Sequence, residues 1–419
     1  MVKHMVKRAA AAVASLRPCE QGIVLSRQED TLMRPRLTRR SLTLLLGAAV
    51  VGAAHPSWAQ DDVTASVKKD GAAIEAYLRA RRAYEDEAEA YWQQVIDKRR
   101  ARFAKRRARE PIGSDDYVLT QPPVYTGPPR PPGIPQQRIP GPPPQPIPVV
   151  ADFLKAAAEQ YKFKPDRPKN DAEFKQLYAR VALAAGLTKD QAVRVYAFET
   201  GGNGTYDGQA GLVGAGGSKS GRAISPAMGY NQLLTTNTVS LLAEKGDKFV
   251  AALTASSASL SGSAREAMDR KVEILKKMIG FTRTVPDSWS EQDKLAKTTQ
   301  GGIGTHALVL DRDVGPLLQT QKLLDSVEYA RVRGKTDPLT ACELELMNFT
   351  GDGNGFDMVS MPQELREKVP TSNFFQRGGY ERNPIARRTG TVAALFASID
   401  GKMDRASQAQ GAKELAQAF

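Results

Sequence analysis

Val193-Arg194-Val195-Tyr196-Ala197-Phe198-Glu199-Thr200-Gly201-Gly202-Asn203 reads as the end of a helix whose last turn carries an acid. Thr188-Lys189-Asp190-Gln191 has the spacing of a capping box that would open this helix, and Gly201-Gly202 would stop it. Ala192, Val195, Tyr196 and Glu199 follow i, i+3, i+4, i+7 spacing and share one face. A carboxylate at the end of an apolar stripe loses water around its charged form, which raises its pKa above the usual value of about 4.3. A carboxyl still protonated near neutral pH can serve as a general acid. The plainer alternative is a partly solvated side chain in a terminal turn.

A Gly/Ser-rich loop over 201–222 leads on to Gly229-Tyr230-Asn231-Gln232-Leu233-Leu234. Together with Glu199 this segment resembles the soluble lytic transglycosylases of the lysozyme-like superfamily. That family carries a catalytic Glu at a helix end and a glycine-x-x-glutamine segment opening the next helix along the sugar cleft. Leu346-Met347-Asn348-Phe349-Thr350-Gly351 is similar to a third family element, an Asn followed by a Gly-containing turn. Tyr380, in Gly379-Tyr380-Glu381-Arg382, is similar to a fourth, and the resemblance spans roughly 170–400. This sequence departs from the pattern in three places. Thr200 stands where the family has Ser, Gln232 follows Glu199 by 33 positions, and Phe349-Thr350 separates Asn348 from Gly351.

The resemblance implies a mainly α, lysozyme-like catalytic domain over 151–404, acting on peptidoglycan glycan strands without a cofactor. Glu199 would protonate the glycosidic oxygen between MurNAc and GlcNAc, then accept the C6 hydroxyl proton to leave a 1,6-anhydro product. Tyr230, Asn231, Gln232, Asn348 and Tyr380 would line the substrate. Polar residues at a helix start, such as Asn231 and Gln232, also commonly just satisfy backbone groups.

Hydrolysis usually needs two carboxyls, and no clear second one is visible. Asp207, Asp352 and Asp357 all fall in turn-like contexts. Asp352-Gly353-Asn354-Gly355-Phe356-Asp357 echoes a calcium loop but lacks its ligand spacing; a local turn accounts for it. Outside the leader one His, His306, and one Cys, Cys342, remain, too few for a usual zinc site. Gly217-Ser218-Lys219-Ser220 has no strand before it, so a phosphate loop is not indicated. Cys342 reads as a small buried residue.

The chain has 419 residues and a net charge of +13, which favours anionic partners. Arg34, Arg36, Arg39 and Arg40, the apolar run Leu42 to Ala54 and the small-x-small site Ser57-Trp58-Ala59 form an expected export signal to the periplasm. Thr38-Arg39-Arg40-Ser41-Leu42 resembles a twin-arginine signal. Met33 would give that signal an ordinary length, and no Cys at the cleavage point indicates a lipid anchor.

After the leader (1–59), residues 60–110 read as a charged amphipathic helix, patterned from Gly71 to Arg109 by Ile74, Tyr77, Tyr84, Tyr91, Trp92, Val95 and Phe103. Such a helix must dock on the main domain, pair with a copy of itself or meet a partner. Its basic end, Lys98 to Arg109, is either a solvated terminus complementing the helix dipole or an anchor for anionic polymer or a membrane surface. Export makes nucleic acid an improbable partner. Residues 111–150 are Pro-rich and read as a spacer, on the order of 100 Å long if fully extended.

Within the main domain, helices are expected at 151–162, 171–186, 188–200, 230–245, 263–280, 305–332, 337–349 and 389–404, followed by a C-terminal tail over 405–419 in which Gln408–Phe419 is expected to fray. Two other roles fit the same features. One is a non-catalytic peptidoglycan-binding domain on the same fold, and the other an envelope scaffold in which the basic helix and spacer dominate.

Overall fold

The computed structural model describes residues 57–132, 134, 146–213 and 220–419. The leader and the body of the export signal lie outside the described residues, as do residues 133 and 135–145 of the Pro-rich segment. The protein is mainly helical. Its helices are α1 (Ser57–Ala108), α2 (Val150–Tyr161), α3 (Asp171–Ala184), α4 (Lys189–Thr200), α5 (Thr235–Ala258), α6 (Gly262–Thr282), α7 (Trp289–Thr298) and α8 (Gln300–Thr305). They continue as α9 (Gly315–Val332), α10 (Ala341–Thr350), α11 (Asp352–Val359), α12 (Gln363–Arg366), α13 (Arg377–Arg382), α14 (Pro384–Thr389), α15 (Val392–Ala406) and α16 (Gln410–Ala418). A short antiparallel pair, β1 (Leu212–Val213) and β2 (Ser220–Gly221), interrupts the Gly-rich loop. Among the described residues, no helix is long and apolar enough to cross a membrane.

The capping box of α4 forms as its sequence predicts. Thr188 Oγ1 accepts from the Gln191 amide at 3.1 Å, and Gln191 Oε1 accepts from the Thr188 amide at 2.9 Å. Gly201 ends the helix at φ +68°, a left-handed conformation that costs glycine little. α4 packs against α10 and α15, and α9 packs against α3 and α10. The apolar face of α4 (Ala192, Val195, Tyr196) is fully buried; its first turn (Lys189, Asp190) is exposed and its last turn (Glu199, Thr200) partly open.

Several expected boundaries shift for identifiable reasons. The segment 305–332 is not one helix, because Asp311 breaks it: its carboxylate accepts from the amides of Asp313, Val314 and Asp166 and pairs with Lys271. The helix before it, α8, is Gly-rich because α2 presses on it. A Cβ on Gly304 would lie 2.9 Å from the Ala157 amide nitrogen. The helix expected at 230–245 begins at Thr235, leaving 229–234 as a turn. Asp352–Asp357 is not a turn but the body of α11. The C-terminal tail does not fray: α16 buries Ala412 and Leu415, and Glu414 pairs with Lys175 at 2.6 Å.

The charged helix docks on the main body. Ala88, Tyr91, Trp92 and Val95 form a second apolar cluster with Val118, Tyr380 and Ala386. At its basic end Arg99, Arg102 and Arg106 follow i, i+3, i+7 spacing and turn to the same side. Arg102 is fully buried, donates to the Asp357 carboxylate at 3.1 Å and to the carbonyls of Asp116 and Asn373, and stacks over Tyr117. Arg106 also pairs with Asp357, Arg99 donates to the carbonyls of Asn373 and Phe375, and Lys105 binds Asp116 at 2.7 Å. Arg100, Arg107 and Arg109 are the exposed cations of the run. Most of the basic end therefore forms an internal joint, with Arg100, Arg107 and Arg109 left on the surface.

The first part of the Pro-rich segment is not a spacer either. It turns back along α1, where the Val118 amide donates to Asn373 Oδ1 and Asn373 Nδ2 donates to the Val118 carbonyl, at 2.9 and 2.8 Å. Tyr125 packs edge-on against Tyr77 and Tyr84 farther along the helix.

Candidate active site

The last turn of α4 and the middle of α10 meet at three polar side chains. Glu199 comes from α4, while Glu345 and Asn348 stand three residues apart on one face of α10. Asn348 Nδ2 donates to Glu199 Oε1 at 3.0 Å. Glu199 and Asn348 are partly accessible, whereas Glu345 lies behind them with no exposed surface. The Glu345 carboxyl faces that of Glu199. No backbone or side-chain N–H or O–H satisfies its two oxygens in hydrogen-bonding geometry. A bond between the two acids requires that one of them hold a proton.

Burial dominates the electrostatics. It pushes the Glu199 carboxyl up to about 7, against the lowering influence of the contact with Glu345, the ammonium groups of Lys402 and Lys322, and the Asn348 amide. Glu345 is pushed well above the ordinary carboxyl range, first by burial and then by the Glu199 charge beside it. The outer acid is thus placed to change protonation near neutrality, and the inner one is held well above the ordinary carboxyl range. Lys402 approaches from α15, its ammonium 3.7 Å from the centre of the Phe198 ring, and Lys322 from α9. Such a carboxyl can deliver a proton and take one back at the same pH.

The residue after the acid has a local task. Thr200 Oγ1 donates to the Tyr196 carbonyl at 2.7 Å and accepts from the Gly202 amide at 3.3 Å, closing the helix end.

Of the residues expected to line the substrate, only Asn348 stands beside Glu199. Tyr230 is fully buried, with Phe174, Tyr178 and Tyr196 around its ring at centroid distances of 5.1, 5.5 and 4.8 Å. Its hydroxyl donates to Asp171 Oδ1 at 3.0 Å, and no ring face is left for a sugar. Asn231 is 2% exposed and locked to Gln319 through both its backbone and side-chain nitrogens. Gln232, at φ +42°, ties its Nε2 to the carbonyls of Gly229 and Gly208. The 229–234 segment is thus a rigid turn that supports α4 through Tyr196. Tyr380 belongs to the joint with α1, its ring 5.5 Å from that of Trp92.

The three aspartates considered for a second carboxyl are engaged elsewhere. Asp207 pairs with Arg167, Asp352 accepts from Ser326, and Asp357 binds Arg102 and Arg106. Glu345 is the acid that sequence reading missed. A signal for it exists: Ala341, Glu345 and Asn348 repeat at i, i+4, i+7, the spacing that singled out Glu199.

Among the described residues, no group of three His, Cys, Asp or Glu side chains is placed to hold a metal ion. His306 is buried, with Nε2 donating to the Pro226 carbonyl at 3.1 Å and Nδ1 accepting from Thr238 at 2.8 Å. Burial lowers its pKa to about 4, which makes it a neutral core residue. Cys342 is buried in the core. Compared with known family models, curated proteins and solved structures, the chain finds no match in any of the three.

Proposed function

We propose that this protein is a peptidoglycan lytic transglycosylase, working in the periplasm on a lysozyme-like helical domain with Glu199 as its single acid and base. The observation that carries the reading is the Glu199–Asn348 contact at 3.0 Å, on a carboxyl that burial raises to about 7. An acid with that value is protonated often enough to attack the glycosidic bond and ionised often enough to be regenerated. The substrate class rests on the resemblance at 193–234 and 346–351, and the compartment on the signal read at 34–59.

Glu199 protonates the oxygen between MurNAc and GlcNAc as the C1–O bond breaks. The MurNAc N-acetyl group assists departure. The Glu199 carboxylate then removes the C6 hydroxyl proton as C6–O closes on C1. Hydrolysis by two carboxyls needs them on opposite sides of the sugar, roughly 5 Å or more apart. Glu345 faces Glu199 directly and lies behind it, which favours the one-acid route.

Digestion of purified sacculi by the protein, with mass analysis of released muropeptides, tests this. Anhydro-muropeptides are expected from the parent and none from Glu199→Gln. Reducing-end products would make the protein a hydrolase. Release of nothing, with equal binding of sacculi by both proteins, would make it a binding protein.

A further inference from the structure

Glu345 is the polar group of this site whose position is least accounted for by its neighbours. It has no exposed surface, and no donor reaches its oxygens in good hydrogen-bonding geometry; the nearest, the Asn348 amide, lowers its pKa less than burial and Glu199 raise it. Asn348 lies beside it, but the Asn348 amide is directed to Glu199. An ionised carboxylate in this place would be stripped of water with only the shared Asn348 amide to replace it. A carboxylic acid fits, because its hydroxyl has an acceptor in front of it, the Glu199 carboxyl.

The surrounding charges agree with a neutral Glu345. α10 packs against α4, α9, α11 and α15. α4 contributes Glu199, α15 contributes Lys402, and α9 contributes Lys322. α11 brings Asp352 and Asp357, which are held by Ser326 and by Arg102 and Arg106. On α10 itself Cys342 feels the Glu345 charge weakly, and Glu343 points to Lys335 at 3.4 Å. None of these cations forms an ion pair with Glu345; Lys402 lowers both carboxyls, and Lys322 acts on the more open Glu199.

We propose that Glu345 is a positioning residue that stays protonated, donates its hydroxyl to the Glu199 carboxyl and, with Asn348, fixes that group for proton transfer. Its catalytic consequence rests on the lytic reading above. When Glu199 gives its proton to the glycosidic oxygen, the carboxylate left behind accepts from both Asn348 and Glu345. It regains a proton from the substrate C6 hydroxyl as the anhydro ring closes. Glu345 keeps its own proton throughout, so the transfer balances between Glu199 and the sugar alone.

The full chain with Glu345→Gln and Glu345→Leu tests this. The first keeps a donor and the second keeps only volume. Two readouts are needed: the pH–rate profile of muropeptide release, and the titration of glutamate side-chain carboxyl carbons by 13C NMR, assigned with Glu199→Gln. Glu345 should show no ionisation between about pH 4 and 8. Gln should leave the Glu199 titration within about half a unit and kcat within about threefold. Leu should raise the Glu199 titration by about one unit and lower kcat about tenfold, with KM within about twofold.

Ionisation of Glu345 below neutrality, or a fall of about one unit in the Glu199 titration with Gln, would show a charged Glu345 and overturn the proposal. A Leu variant identical to the parent in both readouts would reduce Glu345 to packing and overturn it equally. Should Leu fail to fold by circular dichroism, Gln and the parent titration still decide. If sacculi are not cleaved at all, the lytic reading falls, while the titrations still establish whether Glu345 holds its proton against Glu199.

Discussion

Asn348 and Glu199 are 149 positions apart in sequence, and the amide nitrogen of the first stands 3.0 Å from a carboxyl oxygen of the second. The bond stabilises the ionised form of Glu199 and fixes its orientation. Asn348→Leu removes it without adding charge. The Glu199 titration should rise, and muropeptide release at neutral pH should fall about tenfold, equivalent to about 1.4 kcal/mol. Normal release from this variant would place the acid's support elsewhere.

Glu199 should make the protein less stable as the medium becomes alkaline. Its folded pKa of about 7 lies above the 4.5 of the free side chain. Between those values the folded state binds the extra proton, so stability declines as pH rises across that window. Glu199→Gln escapes the penalty. It should match the parent near pH 4 and exceed it by up to about 3 kcal/mol near pH 8, as read from urea midpoints at both pH values. An equal difference at both pH values would contradict the raised pKa.

Arg102 holds the joint between α1 and the body. Truncation to Ala leaves Asp357 buried with fewer donors and empties a core position. A loss of about 3–5 kcal/mol is expected in chemical denaturation. Arg100→Ala, one helix position group away and exposed, should change stability by less than about 0.5 kcal/mol. If both variants behaved alike, the docking of α1 would be immaterial to folding.

Tyr230 should matter to stability and not to sugar affinity. Tyr230→Phe loses the hydroxyl bond to Asp171, worth about 1 kcal/mol, and Tyr230→Ala opens a cavity worth about 3–5 kcal/mol. Binding of glycan fragments to the Phe variant, followed by calorimetry, should equal that of the parent. A weaker complex would return Tyr230 to the substrate surface.

The parts of this structure that were legible in sequence are those fixed by local spacing. The α4 capping box, the apolar face ending in Glu199 and the Gly201 stop are all contained within about fourteen residues, and each forms as read. Long-range partners were not legible. The packing of Arg99 and Arg102 was hidden because their acceptors include carbonyls at 373 and 375, more than 270 positions away. α8 was hidden because its glycines, poor helix formers, are retained for close contact with α2. The end over 408–419 was expected to fray, yet it closes on α3 through Lys175 and Glu414. Glu345 was not legible because its burial comes from the packing of α10 against α4, α9, α11 and α15. The 229–234 turn shows a motif serving as a brace for α4 in place of the sugar contact its likeness implies.

The Asn373 side chain bonds both backbone groups of Val118 while the carbonyls around it receive Arg99 and Arg102. A fragment beginning at residue 151 would therefore expose Asn373, strand the buried Asp357 and strip the partner face from Tyr380. The joint thus ties the chain on either side of the Pro-rich segment into one packed unit, with Glu199, Glu345 and Asn348 inside it.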